Sequence, residues 1–399
     1  MSVVRSQQLV FLRLLRSLQP HWRRDLSLPR RIQQLLAGER AFGSRDRRLY
    51  RELIYTTLRY LPWIEPYLAT DPDRAVKITA WLAADTRDTQ SYRAELCGDW
   101  PVAASLAEQA KFLEADATAL LPAWFRDDCP EVFAADELEA QLARAPLWLR
   151  LQTSDTAGLA ADFSVNGWKT QPSPLLPSAW RVLGDADVTK SSSYTNGRIE
   201  IQDLGSQLVL ETIGLEPGRR WLDACAGAGG KSLQLAQLLG PNGKVYAHDI
   251  RAAALEELRV RADRAQLGNL RTLSRIDAND FDGVLVDAPC SGSGTWRRSP
   301  HLKWVTTPAL IMERASLQQS LLSQYSAHLR PGGRLVYATC SLSHRENEDI
   351  VQAFLAAHPE FEPAPFARTF GFAPRGAGLT LLPARHDTDG FYVASLHRR

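Results

Sequence analysis

Apolar positions at helical spacing dominate the first third of the chain. Leu9, Leu12, Leu14, Leu15 and Leu18 recur with a helical period, and a second pattern covers residues 31–36. In DRRLYRELIYTTL, Leu49, Leu53, Ile54 and Leu58 form one stripe, with arginines at the other positions. Residues 1–140 therefore read as an all-α domain with Trp63, Trp81 and Trp124 in its core. The pattern changes near Pro146. LWLRL at 147–151 reads as a strand, and Asn166-Gly167 and Asn196-Gly197 mark turns beside short apolar runs. Residues 146–200 are expected to form a small α+β subdomain, from which IEIQDLGSQLVLET leads out of a strand and into a helix.

From Arg219 onward strands and helices alternate. Trp221 and Leu222 lead into DACAGAGGKS, residues 233–239 are helical, and 244–247 form a strand ending at Asp249. A helix over 252–267 and a strand over 270–273 follow. Phe281, Val284, Leu285 and Val286 then form an apolar run without polar alternation, as expected of a strand covered on both faces of a parallel sheet. A helix over 308–329, a Pro331-Gly332-Gly333 turn, a strand ending in Thr339-Cys340, a helix over 345–357 and a last strand in DGFYVASL complete the order. Ser343 and Glu346 have the spacing of a capping box for that last helix. The alternation predicts an α/β domain over 201–399 with a mostly parallel, doubly wound sheet.

Composition narrows the class. Apolar residues make up 45% of the 399 positions and charged residues 23%, as in an ordinary globular protein. No apolar run is long enough for a membrane span, and the arginine-studded first twenty residues read as an amphipathic helix and not a leader. Five cysteines without a C-x-x-C spacing argue against a disulfide framework and a zinc site, so a reducing cytoplasm and no metal are expected. The net charge of +2 hides a local bias: residues 1–60 hold 13 arginines against Asp25, Glu39, Asp46 and Glu52. Such a surface suits a phosphate backbone, or serves only as a solvated helix face.

Two constellations carry chemistry. The loop Ala226-Gly227-Ala228-Gly229-Gly230-Lys231 follows a strand and opens a helix, and Asp249 ends the next strand, 22 residues after Gly227. Backbone amides in such a loop approach a ligand closely, and an acid at that position accepts from ribose hydroxyls, which together suit an adenosyl ligand. The second constellation is a pair of strand ends. Asp287 and Cys290 in DAPCSGSG, and Cys340 in YATCS, fall where ligands sit in open α/β sheets. PCSGSG is too polar for core packing, and Cys340 precedes the expected helix start, which lowers a thiol pKa. Cys97, Cys129 and Cys225 read as small buried hydrophobes. A thiolate adding to carbon 6 of a pyrimidine activates carbon 5 toward a methyl group, and Asp287 is placed to hold the amine and ring nitrogen of cytosine. Spacing alone does not rank the two thiols.

DAPCSGSG with RR and LKW behind it, IQDLGSQLV, SLQQSLL, PGGRLVYATCSLSHRENE and HDTDGFYVA occur in the order found in the RsmB/NOP family of RNA 5-methylcytosine methyltransferases, which residues 146–399 resemble. The stretch AFGSRDRRLYRELIYTTLRYLPWI resembles the NusB-like RNA-binding domain of its bacterial members. The resemblance implies a Rossmann-like class I methyltransferase domain and S-adenosyl-L-methionine bound by Cys225 to Lys231 with Asp249, Asp277 and Asp287. It also implies Cys340 as nucleophile, Cys290 as the thiol aiding product release, and Lys231 near cofactor and base. Small-subunit ribosomal RNA is the implied substrate, acted on by a cytoplasmic monomer. Transfer RNA methylation and a non-catalytic RNA-binding assembly factor are the alternatives. Three departures stand out. Ala228 replaces the usual proline of the loop, His301 replaces an acid, and the stretch between Asp277 and Phe281 is short enough that Asp280 competes with Asp277 as the adenine-side acid. Arg297, Arg298 and Lys303, with the amino-terminal arginines, are expected to meet phosphates.

Overall fold

The structure, a computed structural model, describes residues 2–399. It divides into two compact units: 2–144 together with 295–307, and 145–294 together with 308–399.

The first unit is helical. Its longer helices are Val3–Leu18, Leu28–Gly38, Ser44–Arg59 and Pro72–Leu82. The leucine stripes bury Leu12, Leu14, Leu15, Leu18, Leu49, Leu53, Ile54 and Leu58, whereas Leu9, expected in the first stripe, is 48% exposed. Trp63 and Trp81 are buried, whereas Trp124 is half-buried and its neighbour Phe125 takes the core position. Many arginines are neutralised inside the unit: Arg5 pairs with Asp73 at 2.9 Å, Arg13 with Glu39 at 2.8 Å and Arg48 with Asp88 at 2.6 Å.

Residues 295–307 were expected inside the 201–399 domain, with Arg297 and Lys303 reaching phosphates. They belong instead to the helical unit, and both side chains are only 1% exposed. Lys303 Nζ donates to the carbonyls of Arg59 (2.8 Å) and Leu120 (3.0 Å). Burial, then the nearby charge of Arg59, lowers its pKa well below the lysine range. A side chain spent on two interior carbonyls is not a phosphate contact. Arg298 is exposed.

His301 is buried in the same segment. Burial pushes its imidazole down to about 4, against a backbone hydrogen bond at Leu26 and the charge of Asp25, which pull upward. The unfolded chain protonates this group near pH 6.5, so its contribution to stability is complete above that pH and is lost as pH falls toward 4. Between pH 7 and pH 5 the loss is about 2 kcal/mol. Melting temperatures at the two pH values are expected to converge in His301→Asn relative to the parent chain.

In the second unit, β1 (Leu147–Leu151), β2 (Lys169–Pro172), β3 (Ala179–Leu183) and β4 (Ile199–Ile201) form an antiparallel sheet in the order β2-β3-β1-β4. Leu159 and Phe163 of the helix Thr156–Val165 cover it. The larger sheet contains β5 (Arg220–Asp223), β6 (Lys244–His248), β7 (Leu270–Leu273), β8 (Phe281–Asp287), β9 (Leu329–Thr339), β10 (Phe361–Pro363), β11 (Pro374–Arg375), β12 (Gly378–Leu381) and β13 (Phe391–Arg398). Its order is β11-β12-β13-β9-β8-β5-β6-β7, with β10 on β13. The pairings from β9 through β7 are parallel, and β13 joins β9 antiparallel. Both faces are covered, as the unbroken apolar runs require. Val284, Val286, Leu335 and Tyr337 point into one core, and Leu285, Val336 and Ala338 into the other.

Two expected boundaries moved. Pro331-Gly332-Gly333 does not precede its strand but sits inside β9 as an irregularity, where pairing jumps from Phe281↔Leu329 to Gly283↔Arg334. Gly332 takes the positive φ of +74° that this excursion needs. The helix expected from residue 345 begins at Glu348. No helix among the described residues is long and apolar enough to cross a membrane.

Candidate active site

The strand order reverses at β5, whose neighbours are β6 on one side and β8 on the other, so a crevice opens beyond its carboxyl end. A cavity of about 510 Å³ occupies it. The glycine loop forms one wall. Gly227 has φ +54° and Gly229 φ +90°, and a Cβ on Gly229 would lie 2.0 Å from Leu258 Cδ1, so only glycine allows the loop to lie this close to the next helix. The helix Gly230–Leu239 starts directly after it, presenting free amides toward the crevice. Arg261 Nη1 donates to the carbonyl of Ala228 and Nη2 to Glu200 of β4, giving the loop an anchor where the proline is missing.

Asp249 closes the next strand end. Its carboxylate accepts from Gly227 N (2.8 Å), Arg251 N (2.8 Å) and the Arg251 guanidinium (3.0 Å). Burial pulls its pKa upward, but these bonds overcome it and hold the pKa below the usual range. Ile250, 90% exposed, stands beside it on the cavity wall, with Leu317, Leu321 and Tyr325 among the other wall residues. An acid next to an exposed apolar side chain suits a ribose beside a flat aromatic ring.

Asp287 also lines the cavity and connects it to the thiols. Lys231 Nζ lies 2.9 Å from its carboxylate and 5.2 Å from the centre of the Phe391 ring. Burial disfavours the Lys231 charge, yet Asp287, Cys340 and Asp223 more than offset it, and its pKa is raised. Beyond this pair, Cys290 Sγ and Cys340 Sγ are 3.3 Å apart. The bond to Cys340, burial and the charges of Cys340 and Glu346 all push the Cys290 thiol well up. Thus Cys225 to Lys231, Asp249, Asp287, Cys290 and Cys340 converge. Cys225 packs against the core as a small hydrophobe and also lines the cavity; burial, followed by the charges of Asp223, Asp287 and Asp249, raises its pKa and keeps the thiol unreactive.

Asp277 does not join them. It is exposed on the segment after β7, pairs with Arg275 at 2.7 Å and is absent from the cavity wall. Its competitor Asp280 is no better placed, because it is paired with Arg220 at the opposite end of β5. The capping box is also unmade. Glu346 turns its carboxylate inward to the cysteine loops, and the helix start lies eight residues beyond Cys340, too far to act on that thiol. Sequence reasoning missed Ile250, Arg251, Tyr325 and Asp223. Asp223 was visible as the acid opening DACAGAGGKS. It is 1% exposed, accepts from Ser232 Oγ at 2.6 Å, and burial raises its pKa to about 7.

Residues 210–397 match the family described as 16S rRNA methyltransferase RsmB/F. The probable ribosomal RNA small subunit methyltransferase B of Synechocystis sp. is 34% identical over 239 residues, 56% of this chain and 53% of that protein. Ribosomal RNA small subunit methyltransferase B of Klebsiella pneumoniae is 33% identical over 307 residues, 73% of this chain and 69% of that protein. The chain thus spans from about half to just over two thirds of the length of these curated relatives. Among solved structures, a methyltransferase homolog protein from Pyrococcus horikoshii superposes with a TM-score of 0.59 at 27% identity, covering 69% of this chain and 93% of that one. On the extent and identity of the Klebsiella match, the chain belongs to the 16S rRNA methyltransferase RsmB/F family.

Proposed function

We propose that the protein is an S-adenosylmethionine-dependent RNA (cytosine-5)-methyltransferase acting on small-subunit ribosomal RNA. The observation that carries this reading is the pair of thiols 3.3 Å apart behind the Lys231–Asp287 ion pair, which adjoins the glycine-loop cavity. The cavity suits the cofactor in chemistry: loop amides, the Asp249 carboxylate, which now accepts from the Arg251 guanidinium and can accept from ribose hydroxyls instead, and Ile250 as an apolar face. S-adenosylmethionine, when bound there, supplies an electrophilic methyl group.

The chain's own residues do the rest. The Cys340 sulfur forms a bond to carbon 6 of the cytosine, which makes carbon 5 electron-rich. Asp287 accepts from the exocyclic amine, and Lys231 steadies its carboxylate. Once carbon 5 has been methylated and has lost its proton, the Cys340–carbon 6 bond breaks and the ring regains its double bond. Cys290, which holds a proton in the free protein, balances that exchange: it passes its proton to the departing Cys340 sulfur, 3.3 Å away, and takes the carbon 5 proton in its place. A base can enter only from single-stranded or unstacked RNA. The helical unit is read as the RNA-binding module, through exposed arginines such as Arg16, Arg24, Arg30 and Arg40.

The test is transfer of labelled methyl from S-adenosylmethionine to unmodified small-subunit ribosomal RNA, total transfer RNA and DNA in parallel. Label in the ribosomal RNA alone is expected, and label confined to transfer RNA would move the substrate while keeping the chemistry. Arg261→Gln, which releases the Ala228 carbonyl, is expected to weaken S-adenosylhomocysteine binding about tenfold by calorimetry.

A further inference from the structure

Behind the two cysteines lies a buried carboxylate that the proposed chemistry does not use. Glu346 is 0% exposed, and the hydrogen bonds it accepts come from neutral groups. Oε1 takes the backbone N–H of Ser291 at 2.8 Å and the amide of Gln318 at 3.0 Å. Oε2 takes the hydroxyls of Ser341 at 2.6 Å and of Ser291. A dry carboxylate without a bonded cation is costly, so its retention in the core needs a compensating role.

Its partners indicate the role. Ser291 follows Cys290 and Ser341 follows Cys340, so one carboxylate spans both loops one residue beyond each thiol. Gln318, from the helix Pro308–Ser326, extends the brace to the other side of Cys290 by donating to the Pro289 carbonyl at 3.0 Å. The loops arise from parallel neighbours β8 and β9, whose ladder ends at Asp287↔Ala338, three residues before Cys290 and two before Cys340. Past that point, strand pairing no longer sets the distance between the loops. The Glu346 brace does so together with direct ties between the loops: Gly294 N donates to the Cys340 carbonyl at 2.9 Å, Leu342 N donates to Ser293 Oγ at 2.8 Å, and the Ser293 and Ser341 hydroxyls lie 3.0 Å apart.

We propose that Glu346 is a positioning residue that holds the Cys290 and Cys340 loops in register, so that the two sulfurs meet. The inference concerns the thiol geometry, and its catalytic consequence rests on the function proposed above. In the full chain, Glu346→Ala is expected to slow bridging of the two thiols by dibromobimane, read as the Cys290–Cys340 cross-linked peptide, by at least about tenfold. It is also expected to lower kcat for methyl transfer about 100-fold, the scale of an ångström-sized misplacement, with little change in KM for RNA or in S-adenosylhomocysteine affinity. Glu346→Gln retains one acceptor oxygen and is expected to recover part of both losses, and it carries the test if the alanine variant does not fold. A merely structural role would lower cofactor affinity and melting temperature together and leave bridging by the folded fraction unchanged. Wild-type bridging rates in both variants would overturn the inference. The bridging result decides it even if the parent chain methylates no RNA, an outcome that would count against the proposed function alone.

Discussion

Cys340→Ala is expected to abolish methyl transfer, by at least about 10⁴-fold, and Cys290→Ala to leave protein covalently joined to RNA. The two losses differ because the thiols differ in surroundings. Cys290 is pushed toward its protonated form by its bond to Cys340, by burial and by the charge of Glu346, whereas Cys340 lies within electrostatic reach of the Lys231 ammonium. A sulfur that keeps its proton is suited to proton transfer. Without the Cys340 sulfur carbon 5 is never activated. Without Cys290 the adduct forms and resolves slowly, so a denaturant-stable protein–RNA species should accumulate on gels, its RNA attached at Cys340 by peptide mapping. An exchange of the two phenotypes would exchange the roles.

Asp287→Ala is expected to cost both activity and stability. Lys231 is 8% exposed, and its neutralising partner is the Asp287 carboxylate at 2.9 Å. Removing one member of a largely buried pair strands the other charge, at a cost of about 3–5 kcal/mol. Replacing both members by apolar residues, as in Asp287→Leu with Lys231→Met, removes the stranded charge. Chemical denaturation should therefore find the double variant more stable than Asp287→Ala. Neither variant should methylate, since the carboxylate proposed to hold the base is gone in both. Recovery of stability without recovery of activity separates the structural part of this pair from its chemical part.

The placement of the strand-end residues was legible because it is local: an apolar run, a stop and a polar loop put Asp287, Cys290 and Cys340 at one edge of a parallel sheet without knowledge of the packing. The glycine loop and Asp249 were legible for the same reason. What escaped was set by distant partners. Lys303 and Arg297 look in sequence like surface cations, and nothing local announces that the carbonyls of Arg59 and Leu120 will take up the Lys303 ammonium. Ser343 and Glu346 have capping-box spacing, but the Ser291 amide and the Ser341 hydroxyl compete for the same carboxylate and prevail. Asp277 matched by order along the chain, and the short stretch after β7 leaves it in solvent beside Arg275. Ile250 and Tyr325 carry no sequence signal, because an exposed apolar residue has meaning only next to the cavity it lines.

The most direct test of the central claim is nucleoside analysis of small-subunit ribosomal RNA after incubation with the protein and labelled S-adenosylmethionine. Label recovered as 5-methylcytidine, and lost in Cys340→Ala, is the expected result. Label recovered as a ribose-methylated or N-methylated nucleoside, or as 5-methylcytidine that persists in Cys340→Ala, would contradict the thiol-addition chemistry on which the account stands.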